Sequence, residues 1–253
     1  MIAFGLIVRS TVTRLLRRRR VIGMTFLTGA TGLMLFVVGF GRSDFEILEI
    51  YQFLTIVLGM ALAFPIAAII VSTAAFAEER KAHTLPFLLL KPVSRPLIAA
   101  GVTVGAALAS FVVMSTGAGL TWLAALIFTG DWAIGWPTIV AITIQAIASA
   151  ALFVPLGLLF SRATLVGLAY LFIWEIILTS VITGFIASSI YRITISGYAD
   201  LAGLTPDVFS EVYEILGTVA IGVGGAFTKV LVMATISIKL TTMILRRRDL
   251  LGE

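Results

Sequence analysis

The stretch LIAAGVTVGAALASFVVMSTGAGLTWLAALIFT, residues 97–129, runs for 33 residues without one charged side chain. About 20 apolar residues carry a helix across roughly 30 Å of hydrocarbon, so this run exceeds one perpendicular crossing and must tilt or project from the bilayer. The rest of the chain agrees. Its 253 residues are 60% hydrophobic and 12% charged, with a mean hydropathy of +1.11. A soluble domain lies nearer half apolar and about a quarter charged, and disorder needs low hydrophobicity and high charge. Without cysteine there is no disulfide framework or thiolate metal site, and one histidine, His83, cannot assemble a zinc site. The chain reads as an all-α integral membrane protein, a single transmembrane domain over residues 1–253.

Working outward, six membrane spans are predicted, at 21–40, 50–77, 97–129, 138–160, 164–190 and 218–245. Ahead of them, residues 1–20 carry Arg9, Arg14 and Arg17 through Arg20, while Phe4, Ile7, Val8, Val12, Leu15 and Leu16 recur at helical spacing. That pattern predicts an amphipathic helix in the membrane interface. The apolar run 21–40 exceeds the h-region of a signal peptide, about 7–15 residues, and no small-x-small cleavage site follows it. Arg42, Asp44, Glu46 and Glu49 read as a short loop, and Pro65 as a kink. Asp131, Trp132, Trp136 and Pro137 mark an aromatic interface and a turn. Residues 191–217 form a polar external segment, where Thr205-Pro206-Asp207 opens a helix with Val208, Val212, Ile215 and Leu216 on one face.

Orientation follows from the basic residues. With both termini on one side, fourteen of the eighteen lysines and arginines lie there, against Arg42 and Arg192 opposite. Both termini are therefore expected in the cytoplasm. The same distribution removes nucleic acid as the meaning of a pI near 9.9. The charges sit at membrane edges, where each meets anionic headgroups at about 1 kcal/mol, and no aromatic-interleaved basic face is present.

The one long polar interruption, 78–96, reads Glu78-Glu79-Arg80-Lys81-Ala82-His83-Thr84-Leu85-Pro86-Phe87-Leu88-Leu89-Leu90-Lys91-Pro92-Val93-Ser94-Arg95-Pro96. A charged head precedes an apolar run far too short to cross, and a proline-flanked turn launches the next span. A short amphipathic helix on the cytoplasmic face fits, offering an apolar knob to a soluble partner. An ordinary interfacial helix with its leucines in lipid fits the composition equally.

These residues resemble the intracellular loop of ABC type-2 transporter permeases, commonly Glu-Arg-Glu-x-Gly-Thr-Leu-Glu-x-Leu-Leu-x-x-Pro-Val-Ser-Arg before the third span. Glu79, Arg80, Thr84, Leu85, Leu88, Leu89, Pro92, Val93, Ser94 and Arg95 match without a gap. Lys81, His83 and Pro86 depart from the pattern, and Pro86 suggests that a helix begins there. The Arg-rich N-terminus, six spans, long last external loop and final basic run resemble the family as well. The resemblance implies that the loop holds a coupling helix, with Glu79, Arg80, Thr84, Leu85, Leu88, Leu89 and Leu90 docking on a separate ATP-binding subunit. It implies two copies of that subunit, with ATP and Mg bound there, and a second permease chain, identical or different. In such permeases the last external region often forms re-entrant helices. No G-x-x-x-x-G-K-[ST] phosphate loop occurs in this chain, so no cofactor and no catalytic residue are expected on it. No metal ligands are expected either. Membrane lipid and an extracytoplasmic protein are further candidate partners.

Glu175 lies 11 residues into the fifth span and Lys229 11 residues into the sixth, entering from the opposite face. An ionised group at that depth costs at least about 2.5–3.5 kcal/mol, so both should face protein or water, and they are expected to meet, between spans five and six or across the dimer. A static pair and a substrate- or ion-contacting role both remain open for them. Lys239, nearer the end, snorkels. Gln145 is placed to hydrogen-bond across helices. Gly101 and Gly105 form a G-x-x-x-G pair suited to close helix approach.

Among enzymes, Glu78-Glu79 resembles the Glu-Glu-x-x-x-Arg motif of some membrane metalloproteases, but position 83 is His and no second histidine exists. A serine-type intramembrane protease lacks a general base within the membrane. A secondary transporter would show paired broken helices or an internal repeat. A membrane anchor or assembly factor makes no demand on side chains. The reading carried forward is a multi-pass protein of the cytoplasmic (inner) membrane, the permease subunit of an ATP-driven exporter for a lipid-like or amphipathic substrate. Secondary transporter and assembly or anchor factor stand as its alternatives.

Overall fold

In the computed structural model the described residues are 2–17, 19–81, 93–179, 188–204, 208, 210, 212 and 221–251. Among them eight continuous helices carry the fold, and there is no strand. Helix α1 is Ile2–Leu16 and α2 is Arg19–Val38. Helix α3 joins Asp44–Phe53, a π-helical stretch Leu54–Ala63, and Phe64–Lys81. Helix α4 is Arg95–Thr129, and α5 runs from a 3-10 turn, Trp132–Gly135, into Trp136–Leu159. Helix α6 joins Ala163–Ala169 to a π-helical Tyr170–Leu178; α7 is Ile190–Ala199 and α8 is Gly222–Leu251.

Five of these are long and apolar enough to cross a membrane: Val21–Val38, Asp44–Ala77, Arg95–Thr129, Trp132–Leu159 and Gly222–Arg247. Of the fifth predicted span, 164–190, residues 180–187 lie outside the described residues. Ala163–Leu178 is an apolar helix, about 24 Å at 1.5 Å per residue, and Ile190 starts another one. The predicted acidic loop is corrected. Ser43 caps α3, its Oγ accepting from the Glu46 N–H while its own N–H donates to Glu46 Oε2 at 2.9 Å. This reciprocal box satisfies two free donors and starts the helix inside the acidic stretch. The turn before α5 lies at Gly130, with φ +70°, and at Asp131, which caps the 3-10 turn. Pro137 stands in the first turn of α5, where its missing N–H costs nothing.

Helices α3, α4 and α5 form the centre, each with 61–67% of its most apolar window buried, against 28% for α2 and α8. Large apolar groups on the outer helices, such as Ile22, Phe26 and Val37 of α2 and Leu231 and Met243 of α8, are exposed. Lipid has no hydrophobic drive to press such helices together, so small residues and hydroxyls must do it. A Cβ at Gly32 of α2 would come within 2.7 Å of the Leu120 backbone of α4. The buried Thr31 and Thr121 hydroxyls meet across that seam at 2.7 Å.

Helix α1 is amphipathic, as the spacing predicts, and its apolar face is docked on protein. Thr11 and Leu15 are each 3% exposed, while Arg9 and Arg17 remain exposed on the far side. The small-residue pair of α4 receives it: a Cβ at Gly101 would meet Ile7 Cγ2 at 2.7 Å, and one at Gly105 would meet Thr11 Cβ at 2.8 Å.

Candidate functional site

Two places carry the chemistry. The first is the root of the 78–95 segment. Helix α3 continues through Lys81, so Glu79 and Arg80 stand on its last turns, and α4 begins at Arg95 with Ser94 as its N-cap. The predicted docking residues Thr84, Leu85, Leu88, Leu89 and Leu90 lie outside the described residues. What holds both ends of the segment is described. Arg14 of α1 donates from Nη2 to the Ala75 carbonyl of α3 at 2.8 Å. Leu15 joins Ala75 and Phe76 of α3, Ile98 and Ala99 of α4 and Leu245 of α8 in one cluster, with Val93 packed at its edge. So α1 bridges the two helices that frame the segment, and α8 closes the same cluster. The segment between residues 81 and 95 thus connects α3 and α4, two of the three central helices. The brace was missed from sequence, where α1 carried only an interfacial signal. The Gly101-x-x-x-Gly105 spacing was the visible sign that some helix must lie there.

The second place surrounds Glu175, which is 7% exposed within the π-helical part of α6. Its carboxylate accepts from the Tyr170 hydroxyl at 3.0 Å, the Ile190 N–H at 2.7 Å and the Ser189 hydroxyl. Ser189 in turn accepts from the Arg192 N–H at 3.1 Å, capping α7. Free N–H groups collect at a helix start, and the Glu175 carboxylate takes that of Ile190. The Arg192 guanidinium donates to the Thr179 carbonyl at 3.1 Å. Burial holds it below its ordinary pKa, and the charge of Glu175 pushes it back up. Burial also raises the neighbouring Tyr191 phenol to about 12, with Arg192 pulling the other way.

Helix α7 passes the same device onward. Ser196 Oγ accepts from Ile221 N–H at 2.8 Å and Gly222 N–H at 3.1 Å, and Asp200 Oδ2 accepts from Val223 N–H at 2.9 Å. Gly222 has φ +63° and a Cβ there would stand 3.0 Å from Asp200 Oδ2, so the turn into α8 calls for glycine on both counts. Three helices are thus tied end to side by caps. Val208 and Val212, predicted on one apolar face, are buried against Ile56, Met60 and Tyr198.

Helix α3 borders the same small cavity as Glu175. In its π-helical stretch the Phe64 N–H donates to the Gly59 carbonyl, five residues back. The next residue is Pro65, which has no N–H for Met60. Gln145 of α5 supplies the missing donor, its Nε2 lying 3.1 Å from the Met60 carbonyl. Pro65 therefore works by vacating an acceptor for a neighbouring helix. The other amide atom, Gln145 Oε1, is buried without a partner among the described residues. It borders a cavity of about 10 Å³ lined also by Pro65, Ser149, Tyr170 and Glu175, room for about one water.

Glu175 is thus held by its own chain's α6–α7 junction, through Tyr170, Ser189 and Ile190. Lys229 is half-buried on α8. Its neighbours Ala226 and Val230 pack in one cluster with Leu171 and Ile190, so both predicted residues border the same part of the bundle. Sequence placed Glu175 in the middle of a span. The helix start that receives it, Ser189 and Ile190, looked like the end of that same apolar run.

A family model described as ABC-2 family transporter protein matches residues 15–188, most of the 253-residue chain. The matched span takes in α2 through α6, the 78–95 segment and Glu175. No curated protein matches the chain. With that coverage, the chain belongs to the ABC-2 transporter family and is a membrane permease.

Proposed function

We propose that this ABC-2 permease is the transmembrane subunit of an ATP-driven exporter in the cytoplasmic membrane, moving a lipid-like or amphipathic substrate. ABC-2 permeases in general work with an ATP-binding subunit, and this chain has no phosphate loop of its own. The observation that carries the reading is the position of the 78–95 segment. It joins the two central helices, α3 and α4, at a root braced by α1 through Arg14 and Gly101/Gly105.

In this reading Glu79, Arg80, Thr84, Leu85, Leu88, Leu89 and Leu90 form the docking surface for the ATP-binding subunit, which holds ATP and Mg. Closure of two such subunits pushes on the segment. The push enters α3 and α4 together, because α1 keeps their ends in register, and switches the bundle between inward- and outward-facing states. Six helices crossing or entering the membrane, with both termini cytoplasmic, give half a pathway, and a second permease chain completes it. Apolar walls suit a lipid-like cargo, since a charged one would leave unpaired charge at membrane depth.

Co-purification from native membrane in mild detergent tests this, with wild type beside a Leu88→Asp/Leu89→Asp double variant. We expect a stoichiometric ATP-binding subunit and ATPase activity with the wild type, and loss of both with a double variant that still folds. A wild-type chain that purifies folded and without ATPase sinks the reading.

A further inference from the structure

A groove of about 540 Å³ opens between α4, α5 and α8, within the range of about 300–1,000 Å³ typical of ligand sites. It lies between candidate membrane spans, so what faces it is hydrocarbon. Three hydroxyls line it, and each is already used within its own helix. Thr103 donates to Ala99 O at 2.9 Å, Thr143 to Ile139 O at 2.8 Å and Thr235 to Leu231 O at 2.8 Å. The walls therefore make no demand for a polar occupant.

The α4 wall from Thr103 to Phe111 is about 12 Å long at 1.5 Å per residue, a length that a stretch of lipid hydrocarbon chain can follow. On α8 the lining residues Leu231, Ala234, Thr235 and Ile238 recur at helical spacing. Lys239, four residues after Thr235, continues that stripe and is exposed. Arg246 and Arg247, also exposed, follow on the same helix. One end of an apolar groove thus carries a cation, and the helix then runs to a basic edge.

We infer that this groove receives the hydrocarbon chains of an anionic lipid from the cytoplasmic leaflet, with the headgroup held at Lys239. The inference rests on the transporter reading above for its orientation, and within that reading it is where an amphipathic cargo loads. The chains pack against Phe111 and Leu231 while the charge stays at the membrane edge. An anionic headgroup is preferred over a zwitterionic one because only the former leaves net charge for Lys239.

The test uses the full chain with whatever subunits co-purify, stripped of lipid and then supplied with phosphatidylglycerol or phosphatidylcholine in detergent. Retained lipid is counted by native mass spectrometry. We expect wild type to retain phosphatidylglycerol about fivefold over phosphatidylcholine, the effect of one cation near the headgroups. Lys239→Gln should level the two. Ala234→Phe, filling the groove from α8, should lose both, and so should Ala107→Leu from the facing wall, which guards against one misfolded variant. Retention that survives both filling substitutions overturns the inference. So does Ala234→Phe releasing a second copy of the chain with no change in lipid, which makes the groove an interface. A preparation with ATPase and no lipid preference sinks the groove alone. One that keeps the Lys239-dependent preference without an ATP-binding subunit sinks the transporter reading alone.

Discussion

The root of the 78–95 segment and the α6–α7–α8 junction hold helices together by opposite means. At the root, contact comes from the absence of side chain: Gly101 and Gly105 let α1 reach the α4 backbone, and one arginine spans to Ala75. At the junction, contact comes from charge and capping, with Glu175, Ser189, Ser196 and Asp200 each taking N–H groups from a helix start. The first arrangement rests on close fit, which a larger side chain disrupts. The second is a rigid frame, because its bonds are directional and losing those at Glu175 strands buried polar groups.

Breaking the rigid frame should have the largest effect. Glu175→Ala leaves the Tyr170 and Ser189 hydroxyls and the Ile190 N–H without their acceptor. The cost should be on the order of 3 kcal/mol, while Glu175→Gln, which keeps an acceptor, should cost about 1 kcal/mol. Thermal unfolding of the detergent-solubilised chain reads both. Equal losses for the two variants would mean that the acid serves packing alone.

The root should respond differently. Gly105→Val drives a branched side chain into Thr11 and lifts α1, at about 1–3 kcal/mol for an overpacked seam. Gly119 lies on the same helix with nothing within 4 Å of its Cβ position, so Gly119→Ala should be near neutral. In a chain complexed with its ATPase, Gly105→Val should lower transport-coupled ATP turnover beyond its effect on unfolding. An ATPase rate that merely follows stability would show that α1 is a passive brace.

Much of this was legible in the sequence, and the reasons are physical. Long apolar runs can only be spans or core, so α2, α3, α4, α5 and α8 emerged from hydropathy within a few residues. The basic edge and the 78–95 pattern pointed to the family that the matching model bears out. The junction was hidden because hydropathy sums over residues and does not register a break. Leu178 to Ile190 stays apolar on average, while a carboxylate at 175 and a serine at 189 turn it into one helix ending and another starting. Caps are pairings across sequence distance, and a single chain read in order shows their halves separately. The acidic start of α3 was misjudged for a related reason: Asp44 and Glu46 look like a loop by polarity, yet Ser43 with Glu46 three residues later spells a capping box.

The smallest effect sharpens the comparison at its finest point, the carbonyl of Met60. If Pro65 matters by withholding an N–H, then Gln145 and Pro65 are two halves of one hydrogen-bond account. Gln145→Leu alone leaves the Met60 carbonyl buried and unpaired. Pro65→Ala alone offers it a backbone donor that competes with the amide. In the double variant the backbone donor takes over, and losing Gln145 should cost less than it does in the wild type. The expected coupling is about 0.6 kcal/mol, the average for interhelical hydrogen bonds in membranes, read from unfolding of the four chains in a double-mutant cycle. Additive losses would mean that α3 does not close up when the proline is removed. The π-helical stretch would then be fixed by packing against α5, with the missing N–H only a consequence.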